Sequence, residues 1–167
     1  MNRLKLYTII GIFFTLITGT ISHFVYEWSG NSFILGFFFP VNESTLEHMK
    51  LCFFPMLFYS LFMNQKLKED YPCVTSALLC GILYATNLIP VIFYTYSGIL
   101  GRNFLPLDIA TFALSVFAGF KVIYKLSLSC RANSHIFSLR LLVMVLTVCF
   151  LVFTYQPPDI GIFHIPS

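Results

Sequence analysis

The chain has 167 residues, of which 57% are hydrophobic, 18% aromatic and only 10% charged, with a formal net charge of +3. A soluble domain carries roughly 25% charged residues, so this composition excludes a water-soluble globular enzyme, a disordered tail, a collagen-like fibre and a nucleic-acid reader. An integral membrane protein remains.

A helix that crosses about 30 Å of hydrocarbon needs roughly 20 mostly apolar residues. The sequence predicts five such helices, over residues 7–28, 46–63, 73–97, 106–126 and 136–155, in one transmembrane domain spanning 1–167. The runs lack the alternating period of a membrane barrel, so the fold class is an all-α bundle. The first run follows Arg3 and Lys5 and reaches an aromatic end at Tyr26 and Trp28, which suits an interfacial belt and a retained helix rather than a cleaved signal. After it, Gly30-Asn31-Ser32 turns the chain into the apolar stretch 33–39, which is too short to span and is expected at the interface.

The second run opens with Asn42-Glu43-Ser44-Thr45-Leu46-Glu47-His48. Asn42, Ser44 and Glu47 read as structural capping, Ser44 with Glu47 forming a capping box, and Glu43 and Glu47 suit the positive end of the helix dipole. Pro55 and Pro90 predict bends in the second and third helices, with Asn87 placed to satisfy a freed carbonyl. Ala77, Gly81 and Ala85 in the third run, and Thr111, Ser115 and Gly119 in the fourth, recur every four residues and mark two faces that pack together. Asp108, just after Pro106, suits the start of the fourth helix as a cap or faces the outer cluster as a ligand.

Of the five cysteines, Cys52, Cys80 and Cys149 read as small buried hydrophobes, and Cys73 and Cys130, near segment ends, as lipidation candidates; no disulfide framework is expected. Pro157 and Pro158 stop the last helix, and the apolar residues from Ile160 to Ile165 are expected to fold back as a lid, bringing His164 with them.

With the N-terminus inside, eight of the ten basic residues (Arg3, Lys5, Lys66, Lys68, Lys121, Lys125, Arg131 and Arg140) fall on the cytoplasmic side. The positive-inside rule therefore predicts an N-in, C-out, multi-pass protein of the cell membrane. Five of the seven acids (Glu27, Glu43, Glu47, Asp108 and Asp159) lie outside, joined by His23, His48 and His164.

That asymmetry is the functional signal. Glu27 and His23 are one turn apart, and His48 lies one turn below Ser44, so the two histidines reach similar depth, about 6 Å in from the helix ends, on consecutive antiparallel helices. Imidazole with carboxylate suits a divalent metal such as zinc, with His23, Glu27, His48 and Asp108 as ligands. Glu27, Glu47 and His48 are then the catalytic candidates of an interfacial hydrolase, a carboxylate acting as base. A buried His–Glu pair that merely locks the helix ends is the structural alternative.

At Pro40-Val41-Asn42-Glu43-Ser44-x-x-Glu47-His48-x-Lys50, the chain resembles an uncharacterised family of small bacterial multi-pass membrane proteins. Its members are similar also in His23, Tyr26, Glu27 and Trp28, and in Pro157, Pro158 and Phe163 of the tail. The family pattern has Trp at the place of Leu46, and Asp-Pro where this chain has His164-Ile165. The resemblance implies a bacterial membrane location and no established activity. Ser44-x-x-x-His48 is also similar to one motif of ceramidase-like membrane hydrolases, which have seven helices and a further His-x-x-x-His. Besides hydrolysis, two other functions are expected of such a cluster. One is a small-solute or proton carrier using Glu27 and the histidines as relay. The other is a non-catalytic structural protein whose outer face docks a membrane-protein partner or a second copy. The bilayer itself is an expected partner.

Overall fold

A computed structural model describes residues 2–163. Its helices are α1 (Arg3–Trp28), α2 (Phe33–Gly36), α3 (Thr45–Leu67), α4 (Val74–Leu100), α5 (Leu105–Ser129) and α6 (Ile136–Phe153), with short 3-10 turns at Asn133–His135 and Gly161–Phe163. No strand occurs among the described residues. The five long helices alternate in direction. Four of them, α1, α4, α5 and α6 taken from Asn133, are long and apolar enough to cross a membrane.

α3 falls outside that set because both its ends are polar, with Glu47, His48 and Lys50 in its first turns and Asn64, Gln65 and Lys66 in its last. It is instead the axis of the bundle: 15 of its 23 residues are buried, whereas α6 buries only Val143 and Phe150. The outer surface is correspondingly apolar, with Phe13, Ile17, Phe137 and Met144 all exposed. A helix enclosed by other helices can carry polar groups that lipid would penalise, provided the protein pairs them.

The small-residue faces of α4 and α5 meet as the spacing predicts. A Cβ added at Gly119 would lie 2.6 Å from the Ala85 methyl and 3.0 Å from the Gly81 carbonyl oxygen, so only glycine permits this backbone approach. Gly119→Leu should therefore lower stability by about 1–3 kcal/mol through overpacking. Thermal unfolding of the detergent-solubilised variant checks this, and an unchanged midpoint would mean that the two backbones are farther apart. Asn87 points outward and donates to the Leu83 carbonyl at 2.8 Å, its own i−4 partner, rather than to the carbonyl that Pro90 frees.

Both ends of the bundle are tied. At the basic end, the Arg3 guanidinium pairs with Asp70 and also donates to the Lys66 carbonyl at 3.2 Å, while Tyr71 donates to the Asn2 side chain. There too, Cys73 and Cys130 form a disulfide with Cα atoms 5.2 Å apart, which overturns the expectation of free, lipidated thiols. The reason is topological. Cys73 immediately precedes α4 and Cys130 caps α5, so an antiparallel hairpin of matched helices returns the second thiol to the first.

At the opposite end, a buried ion pair joins three parts of the chain. Lys50, fully buried, donates to Glu47 Oε2 at 2.7 Å, to the Gly36 carbonyl at 3.0 Å and to Thr154 Oγ1 at 2.6 Å. The tail folds back as expected as far as Phe163, whose ring meets Phe153 at 5.3 Å, and Tyr94 donates to the Gly161 carbonyl. None of the described tail residues lines the cavity described below; His164 and Ile165 lie outside the described residues.

Candidate metal centre

α1 ends and α3 begins at the same end of the bundle, which brings His23 and His48 to one level with ring centroids 5.5 Å apart. Glu43, in the loop just before α3, reaches between them. Its carboxylate lies 3.8 Å from His23 Nε2 and 3.2 Å from His48 Nε2. The three ligand atoms all fall within 4.8 Å of one another. Tetrahedral zinc with bonds of about 2.1 Å sets its ligands roughly 3.4 Å apart; the two carboxylate–imidazole distances lie near that value, one to Oε1 and the other to Oε2 of Glu43.

Local structure aims these groups. The Asn42 side chain accepts from the Ser44 amide at 2.9 Å, and Ser44 Oγ caps α3 by accepting from the Glu47 amide at 3.4 Å. The turn so formed holds Glu43 over the helix start. His48 Nδ1 lies 3.1 Å from the Ser44 carbonyl oxygen. An N–H there leaves Nε2 as the lone-pair nitrogen facing Glu43, the tautomer a metal ligand needs. His23 Nδ1 is buried with no hydrogen-bond partner among the described residues.

A cavity of about 380 Å³ opens beside the triad. Thr45 and His48 of α3 stand on one wall, Ile89 and Phe93 of α4 on another, and Asp108 and Phe112 of α5 on a third. Thr45 is buried, with a hydroxyl that has no partner among the described residues. Asp108 faces the cavity and accepts a hydrogen bond from the Tyr96 hydroxyl. The volume is at the small end of the range for ligand sites, and the mixture of apolar walls with a few convergent polar groups is typical of them.

The sequence-derived candidates divide accordingly. His23 and His48 come together. Asp108 shares their cavity but is engaged by Tyr96 and is not one of the three grouped ligands. Glu27, one turn from His23, is exposed and outside the group, and Glu43 holds the carboxylate position instead. Glu47 is 2% exposed and saturated, taking the Val41 amide at 2.9 Å and Lys50 at 2.7 Å on Oε2 and Thr154 on Oε1. That disposes of it as a solvent-facing base, and of the reciprocal half of the capping box, since the Ser44 amide is taken by Asn42. Sequence reasoning missed Glu43 as the carboxylate grouped with the two histidines and Lys50 as a buried cation. The available signal for Lys50 was its i+3 spacing from Glu47 on a helix.

The model of DUF6512, a family of unknown function, matches residues 1–165 of the chain. No curated protein and no solved structure matches it.

Proposed function

The chain belongs to this family of unknown function, and from that premise we propose that it is a five-pass protein of the cell membrane that holds a divalent metal, zinc by donor type, and hydrolyses an amphiphilic substrate at one membrane face. The observation that carries the reading is the convergence of His23, Glu43 and His48 at the edge of a cavity. Two imidazoles and one carboxylate leave a fourth position open, as in metal sites that polarise a substrate or a bound water. Asp108, oriented by Tyr96 across the same cavity, is the proton acceptor in this reading, in place of Glu27 and Glu47.

In the same proposal α3 makes the fifth crossing inside the bundle. The end that carries eight of the ten basic residues then faces the cytoplasm and the triad faces outward.

The test is elemental analysis of protein purified in detergent without chelator. About one equivalent of divalent metal per chain is expected, lost in His48→Ala and in Glu43→Gln and kept in Glu27→Gln. Wild-type protein that neither retains nor takes up metal would overturn the centre.

A carrier is the second reading. Thr15, Thr86 and Ser115 are fully buried on α1, α4 and α5, and their hydroxyls have no partner among the described residues. Counted by helical rise, Thr15 lies about 12 Å from His23 and Ser115 about 10 Å from Asp108, toward the basic end. Proton or metal flux through proteoliposomes, abolished by Ser115→Ala, would favour this reading over hydrolysis.

A further inference from the structure

A second, shallower hollow of about 330 Å³ adjoins the cavity, and Phe93 and Asn103 line both. It is formed by the α4–α5 turn and contains Arg102. Gly98 and Gly101 line it and face open space, since a Cβ at either would meet nothing within 4 Å.

Arg102 has neither an ion pair nor a side-chain hydrogen bond among the described residues, although this end of the bundle is rich in acids. The other cation at this end, Lys50, is sealed in the bundle with each of its three donors used. Two carboxylates, Glu43 and Asp108, line the cavity. Neither lines the shallower hollow, where Arg102 is the one charged lining residue and sets the sign of what that hollow prefers.

The surroundings of Arg102 are apolar. Ile99 is 80% exposed and Leu105 69%, with Leu100 and Phe104 exposed between them. A single guanidinium on such a tip sits at headgroup depth, its stem among chains and its fork at the phosphates.

We propose that Arg102 is the anion-binding subsite of this centre and that it selects a lipid with a phosphate headgroup, whose chains run along Phe93 and Leu105. The choice of substrate rests on the hydrolase reading, but the anion subsite does not.

The experiment uses the full chain in neutral detergent and titrates dihexanoyl phosphatidic acid, dihexanoylglycerol and inorganic phosphate, with metal content measured on the same samples. Phosphatidic acid should bind at least tenfold more tightly than dihexanoylglycerol. Arg102→Gln should lose roughly tenfold of that affinity, Arg102→Lys should recover part, and metal content should not change. Equal binding of the two lipids, or an unaltered preference in Arg102→Gln, would overturn the subsite. Inorganic phosphate binding as tightly as the lipid would overturn the amphiphile. A preference that persists in metal-free wild type supports the subsite while removing the hydrolase reading, and metal-loaded protein with no preference does the reverse.

Discussion

Lys50→Ala should destabilise the protein by about 3–5 kcal/mol, the usual consequence of leaving one member of a buried ion pair without its partner. The carboxylate of Glu47, 2% exposed, would be left with only the Val41 amide and the Thr154 hydroxyl as partners. The Gly36 carbonyl would lose its buried donor as well. The thermal midpoint of the purified variant measures the loss. The double variant Lys50→Met/Glu47→Leu separates charge from shape: it should recover a substantial part of the deficit, because two apolar side chains of similar volume leave no bare charge. Were the double variant as unstable as the single one, the network would matter through its loop anchors and not through its charge.

The same lysine bears on the site. Its bonds to Gly36 and, through Glu47, to the Val41 amide fix both ends of the segment that delivers Glu43 to the histidines. Lys50→Ala should therefore weaken metal retention although Lys50 does not line the cavity. Thr154 closes the arrangement from α6, which makes the end of the last helix part of the support for the triad.

The contrast between Lys50 and the helices explains what could be read from the sequence. Runs of apolar residues place the long helices to within a few residues: 7–28, 46–63, 73–97, 106–126 and 136–155 became Arg3–Trp28, Thr45–Leu67, Val74–Leu100, Leu105–Ser129 and Ile136–Phe153. The α4–α5 seam was legible because it depends only on a four-residue period and a short connection. Such reasoning is local. The bond from Lys50 to Thr154 spans 104 positions, and nothing in either neighbourhood requires the other.

Glu43 and Glu27 show the same limit on a smaller scale. Helical periodicity puts Glu27 on the face of His23, but that face has reached the open end of the bundle by Glu27, one turn later. Glu43 has no periodicity to reveal it; it is aimed by an Asn42–Ser44 turn whose direction depends on where α3 sits against α1. Depth was thus legible and rotation was not.

Reducing the Cys73–Cys130 bond should lower stability by up to about 4 kcal/mol, the chain-entropy figure for a loop closed over 57 positions. A drop in thermal midpoint on adding a dithiol reductant, absent from a Cys73→Ser/Cys130→Ser variant, checks it. The bond also bears on orientation, because it lies at the end of the bundle that carries Arg3 and Lys66. The positive-inside rule sends that end to the cytoplasm, where thiols are kept reduced. On the proposed orientation, then, the pair is dithiol in growing cells and is oxidised to the disulfide by dissolved oxygen after lysis, so alkylation of intact cells with a membrane-permeant maleimide should label both thiols. If the pair instead resists labelling until reductant is added, the basic end faces an oxidising compartment. His23, Glu43 and His48 then open to the cytoplasm, and any lipid reaching Arg102 comes from the inner leaflet.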